Sequence, residues 1–151
     1  MFEGEETAKK IIVEFFDYNC SYCKKAHKDL QRIIKNFSDV KVIYKNLPIL
    51  SKQSKRLAKL SLLIAKDSNE KFKKFHNFLL EKKGLINNND VDKFLVKLGF
   101  SLKKINENLD NKYINSQIEK DFQLAKELSL SELQHLLLKI ILFLGIGVMT
   151  S

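Results

Sequence analysis

Ile11 to Phe16 reads Ile-Ile-Val-Glu-Phe-Phe, an apolar run interrupted once, by Glu14. Such runs belong to strands buried on both faces. Asp17, Tyr18 and Asn19 then make a turn. From Ser21 to Asn36 the apolar positions Tyr22, Ala26, Leu30, Ile33 and Ile34, with Phe37 just beyond, recur every three or four residues, and lysines fill much of the remainder. This spacing predicts an amphipathic helix with Cys20 at its N-terminal mouth. Val40 to Tyr44 alternates as a second strand that Asn46-Leu47-Pro48 ends. Strand, helix, strand within so short a span is the βαβ unit, with parallel strands and a right-handed crossover.

Beyond Pro48 every segment up to Leu128 carries a helical period. Leu57, Leu60, Leu63 and Ile64 mark one helix, and Phe72, Phe75, Phe78 and Leu79 mark the next. Gly84 to Asn89 reads as a loop, Asp90 as the cap of a helix through Leu98, and Ser101 as the cap of a short helix around Ile105. A last helix is expected from about Asn111 to Leu128, burying Ile114, Ile118, Phe122, Ala125 and Leu128. No internal repeat is visible. The predicted fold class is therefore α/β. Residues 1–10 form an N-terminal extension, 11–48 a βαβ unit, 49–128 a helical insertion and 129–151 an atypical apolar tail.

With 151 residues, 44% of them apolar and 30% charged, the chain has the size and composition of one folded domain. Five glycines and one proline exclude collagen-like and low-complexity classes. The net charge is +9, but only Arg32 and Arg56 are arginines. A lysine-dominated surface argues against a nucleic-acid reader, which leans on the arginine fork. The lysine faces are simplest as solvated helix surface. Met1 to Lys10 holds three Glu and no apolar core, so it does not read as a secretory signal. Leu136 to Met149 is apolar but spans fourteen residues and contains Lys139. That is short of the roughly 20 needed for a membrane span, and none is expected.

The two cysteines stand at Cys20 and Cys23, directly after the buried strand and opening a helix. Unpaired backbone N–H groups and the positive end of the helix dipole stabilise a thiolate there. Cys20 is therefore expected to be the exposed nucleophile and Cys23, one turn inside, the shielded resolving thiol. The intervening Ser21 and Tyr22 tune that thiolate; nearby Asp17 opposes ionisation, while Lys24 and Lys25 favour it. Glu14 lies six residues before Cys20. Buried, its carboxyl would be hard to ionise and could pass protons to or from Cys23; at a sheet edge it would simply be solvated. Two blander readings remain open. The cysteines could be structural, or they could bind zinc with His27 and either His76 or His135. His27 itself reads as a surface residue and His76 as a partly buried one.

The segment Val13-Glu14-Phe15-Phe16-Asp17-Tyr18-Asn19-Cys20-Ser21-Tyr22-Cys23-Lys24 resembles the active-site segment of the DsbA-like thiol:disulfide oxidoreductases of the thioredoxin superfamily. The likeness continues through Val42-Ile43-Tyr44-Lys45-Asn46-Leu47-Pro48-Ile49-Leu50 and covers roughly 11–128. It implies a thioredoxin-like fold with a large helical insertion bordering the active-site groove. It also implies a redox-active Cys20–Cys23 pair with no other cofactor and no metal, and a buried acid at Glu14. Reduced or unfolded protein clients, a membrane or soluble redox partner for recycling, and a periplasmic or other extracytoplasmic location belong to the same implication.

The end of the chain departs from that pattern. The family carries a cis-proline loop facing the dithiol, two further strands and a final helix, yet no proline follows Pro48. Glu132 to Gly145, back-translated and read two bases later, can spell Thr-Pro-Ala-Leu-Ile-Ile-Lys-Asn-Tyr-Phe-Ile-Pro-Gly, which resembles the family's cis-proline loop and next strand, so a frameshift near Ser131 is expected. The closing strands should then be missing or replaced, leaving a short parallel sheet with an open edge. The apolar stretch Leu136 to Val148 would cover its face as a helix or an irregular strand. The function alternatives are a catalytically impaired fragment acting as a binding or inert module, and a zinc- or redox-sensing protein.

Overall fold

The computed structural model describes residues 1–128 and the backbone of one further strand at 139–144. Four strands, β1 (Phe2–Gly4), β2 (Lys10–Phe16), β3 (Val40–Asn46) and β4 (Lys139–Leu144), form one mixed sheet in the order β1-β3-β2-β4. The βαβ unit is present: β2 and β3 pair in parallel from Lys10 opposite Val40 to Phe16 opposite Asn46, with helix α1 (Ser21–Asn36) as the crossover.

Two strands were not expected in this form. Phe2–Gly4, read from sequence as part of an extension, runs antiparallel to β3 with Glu3 opposite Val42. This close approach needs Gly4. Its φ is 95°, and a Cβ there would sit 2.3 Å from the Val40 carbonyl oxygen. On the other side β4 pairs antiparallel with β2, setting Ile140 opposite Glu14. The sheet is therefore mixed rather than purely parallel, and β2 is a paired interior strand rather than an open edge. The remainder of the apolar tail, with the expected frameshift point near Ser131 and with His135, lies outside the described residues.

The insertion consists of α2 (Lys52–Asp67), α3 (Asn69–Glu81), α4 (Asn88–Lys97), α5 (Leu102–Asn108) and α6 (Lys112–Glu127). Ser51, Ser68, Asn87, Ser101 and Asn111 cap them, each side chain accepting a backbone N–H. Asp90 is therefore not a cap. It sits in the first turn of α4 and accepts from Lys82 Nζ at 2.6 Å. Starting the helix at Asn88 delivers Val91 and Leu95 fully buried to the core.

Period 2 along β2 divides the interior in two. Ile12 and Phe16 join Val42, Tyr44, Leu30, Phe72 and Phe75 in the larger core, beneath α1 and the insertion. Val13 and Phe15 join Leu47 and Ala125 of α6 on the other face. Burial of each such Leu or Phe contributes roughly 1.5–3 kcal/mol. On α6 the sequence expectation fails at two positions: Phe122 and Leu128 are exposed, whereas Asp121 is buried. Asp121 Oδ2 accepts the backbone N–H of Asn46 at 3.0 Å, with Lys45 Nζ 3.5 Å from Oδ1. A buried N–H at the end of β3 needs an acceptor, and this outweighs burial of a Phe. Among the described residues no helix is long and apolar enough to cross a membrane.

Candidate active site

The C-terminal end of β2 delivers the chain into a turn that Asp17 organises. Its Oδ1 accepts from the Asn19 backbone N–H at 2.8 Å and from Ser54 Oγ at 2.7 Å. Its Oδ2 accepts from the Ile49 and Leu50 N–H groups, both at 3.0 Å. One buried carboxylate thus ties the start of α1 to the segment after β3 and to the first turn of α2. Tyr18, also buried, reaches the other way and pairs its hydroxyl with His76 Nδ1 of α3 at 2.9 Å.

Cys20 is the N-cap of α1. Its Sγ accepts the Cys23 backbone N–H at 3.3 Å, the place an oxygen cap would take. Both thiols are free. The Cys20 pKa is lowered to about 6. The first cause is the Cys23 S–H donating to the Cys20 sulfur, with the Cys23 and Tyr22 backbone N–H groups adding to it; burial and the Asp17 charge oppose them. Cys23 is driven far above the usual thiol range, first as that donor and then by burial. The asymmetry inferred from sequence is present, but two of its supposed causes are not. Cys20 is not open to solvent, being 5% exposed against 1% for Cys23. Lys24 turns away and donates to the Lys82 and Gly84 carbonyls, each at 3.2 Å. Ser21 and Tyr22 are exposed between the cysteines, Tyr22 at 55%.

Glu14 is fully buried, and among the described residues neither carboxyl oxygen has a hydrogen-bond partner. Burial first, then the charges of Cys20 and Glu3, push its pKa up to about 8. A neutral carboxylic acid under the dithiol is the consequence.

His27 corrects the sequence reading. It is fully buried rather than on the surface, because the inward stripe of α1 runs Cys23, Ala26, His27, Leu30 and leaves Tyr22 and Phe37 outside. Its ring stands 5.4 Å from that of His76, which is packed in turn against Tyr44 at 4.1 Å and Phe16 at 5.0 Å. Neither His27 ring nitrogen meets a partner of normal geometry, although Asn77 lies beside it. Burial lowers the His27 pKa to about 4 and holds His76 well below its usual value. His27 is thus committed to the core on the far side of Cys23. Among the described residues no three His, Cys, Asp or Glu side chains are grouped to hold a metal ion.

Comparison with known proteins agrees with this geometry. Residues 11–131 match the DSBA-like thioredoxin domain. The chain belongs to the DsbA-like thioredoxin family. "Disulfide bond formation protein D" of Bacillus subtilis is 31% identical over 141 residues, covering 84% of this chain and 62% of that protein, so the chain spans less than two thirds of that relative. The oxidised crystal structure of BdbD from Bacillus subtilis superposes with a TM-score of 0.78 at 26% identity, covering 99% of this chain and 83% of that one. The thiol-disulfide exchange protein alpha-DsbA2 from Wolbachia pipientis gives 0.79 at 25% identity, covering 97% and 79%. This member of the family keeps the Cys-x-x-Cys pair at the mouth of α1 and the large helical insertion. Sequence reasoning missed Asp17 as the organiser of the turn and Glu3 as a buried acid. A short acidic side chain just before a helix start was a signal for the first. No signal pointed to Glu3, whose burial is made by a strand of three residues.

Proposed function

We propose that the chain oxidises reduced protein clients through the Cys20–Cys23 pair, outside the cytoplasm, and is returned to the disulfide form by a separate redox partner. The observation that carries this is Cys20 capping α1 with its sulfur, its thiolate stabilised by Cys23, above the buried acid Glu14. In the oxidised protein a client thiolate attacks Cys20 Sγ, the Cys20–Cys23 bond breaks, and Cys23 leaves as a thiolate. Glu14 gives that thiolate its proton. A second client thiolate then attacks the client sulfur of the mixed disulfide and displaces Cys20 as a thiolate. The client has lost two electrons and gained a disulfide; the dithiol has gained both electrons. Because the low Cys20 pKa stabilises the reduced form, the favoured direction is oxidation of the client.

The test is stoichiometric. Oxidised full-length protein is mixed with an excess of a reduced, unfolded client, quenched in acid and analysed by mass spectrometry. One client disulfide should appear for each Cys20–Cys23 pair reduced, and Cys20→Ser should abolish transfer. A chain that binds the client without losing its own disulfide would instead be a binding module.

A further inference from the structure

Glu14 is not the only buried acid on this face of the sheet. Glu3, on β1, is 5% exposed, and its Oε1 is unpaired while its Oε2 accepts from Gln31 Nε2 of α1 at 2.6 Å. The register explains the juxtaposition. β3 lies between β1 and β2, with Glu3 opposite Val42 and Glu14 opposite Tyr44. Val42 and Tyr44 are two apart, and both face the core beneath α1. Tyr44 therefore stands between the two acids, and its buried hydroxyl has no partner of normal geometry, with Gln31 beside it. Five unpaired or singly paired polar atoms in a dry core are costly unless their protonation is put to use.

We propose that Glu3 is a positioning residue for the disulfide exchange: it is the second member of a buried carboxyl pair that holds the proton on Glu14, with Tyr44 between the acids and Gln31 linking them toward the surface. This rests on the reading of Glu14 as proton carrier for Cys23. When both carboxyls are charged they repel through a low-dielectric interior, so ionised Glu3 makes Glu14 retain its proton and present it to Cys23 as the leaving thiolate forms. When the Cys20–Cys23 pair is re-oxidised, the Cys23 thiol gives its proton back to the Glu14 carboxylate, which returns the pair to its starting charge, while Gln31, half-buried at the rim, holds Glu3. Both acids carry pKa values raised above the usual range, each with burial as the first cause.

Among the described residues, groups on α1, on the turn before it and on α3 bear on the charge of the pair. α1 presents Cys20, Cys23 and Gln31, and the turn before it presents Tyr18. α3 presents His76 to Tyr44, and Lys73, Glu70 and Glu81 act on Glu3 from its outer side. The two histidines, His27 and His76, stay neutral near pH 7, so neither offsets a doubly ionised pair.

Two measurements on the full chain test this. In the first, the pH profile of mixed-disulfide resolution is recorded for the parent, Glu3→Gln, Glu14→Gln and the double variant. Glu3→Gln keeps an acceptor for Gln31 and should lower the Glu14-dependent midpoint by about one pH unit. In the Glu14→Gln background, Glu3→Gln should change nothing. A parent and Glu14→Gln with the same profile would overturn the proton-carrier reading and this inference with it. A normal Glu14→Gln effect with an unmoved Glu3→Gln midpoint, or an equal shift in both backgrounds, would overturn the pairing alone. The second measurement needs no variant: carboxyl carbon-13 NMR of the reduced parent should show Glu3 and Glu14 each titrating in two steps. Independent single-step curves would reject the pair.

Discussion

Replacing Glu14 with glutamine should make the reduced protein more stable at neutral and alkaline pH and leave it unimproved in acid. The folded carboxyl titrates at about 8 against an ordinary value of 4.5. Between those two values the folded chain holds a proton that the unfolded chain has released, so stability falls as pH rises. The contribution is fully present below pH 4.5 and is lost as pH climbs through 8. Each pH unit in that window is worth about 1.4 kcal/mol. Moving the parent from pH 5 to pH 7.5 should therefore remove about 3 kcal/mol through Glu14 alone, a large share of the stability of an ordinary domain. Glutamine has no such dependence. It leaves an uncharged amide in the same unpartnered site, which adds an offset that does not vary with pH. The assay is urea denaturation of parent and Glu14→Gln under reducing conditions at half-unit intervals from pH 5 to 8.5. The difference between the two curves should grow with pH in favour of the variant. A difference that stays flat across that range would show that Glu14 is solvated or paired, and both its raised pKa and its role as proton carrier would fall.

Brief iodoacetamide treatment should label Cys20 before Cys23, with a rate midpoint near pH 6, because only Cys20 has its thiolate stabilised; peptide mapping showing Cys23 labelled first would contradict the assigned asymmetry. His27→Leu should be neutral or stabilising at pH 7, since no hydrogen bond is lost. It should also flatten the acid limb: the depressed His27 pKa contributes stability that is present above pH 6.5 and lost as pH falls through about 4. Thermal melts from pH 7 to pH 4 check this, and an acid limb identical to the parent's would refute it. Gly4→Ala should cost roughly 1–3 kcal/mol, from the positive φ and the clash with the Val40 carbonyl; a melt superimposable on the parent's would show that β1 is not held against β3.

Much of this protein was legible in its sequence because the relevant signals are local. An apolar run followed by a turn, a cysteine pair and a period of 3.6 specifies strand, helix mouth and amphipathic helix through contacts spanning a few residues, and Cys20, Cys23 and Glu14 all sit inside that span. Ser101 was readable as a cap for the same reason, whereas at α4 the cap is Asn87 rather than the expected Asp90, a choice made by the packing of Val91 and Leu95. His27 was misplaced because residue type was weighed above phase: a polar side chain at an inward position is buried when the helix is pressed onto a sheet. Phe122 and Asp121 exchanged roles because a backbone N–H from Asn46, 75 residues earlier, required an acceptor. Glu3 became a buried acid only when a three-residue strand paired with β3 and brought it to the face that Glu14 shares. Local sequence thus determined where the cysteine pair is and which helix it opens. Tertiary structure decided which charges surround it, because burial and pairing between distant segments depend on the whole sheet being assembled.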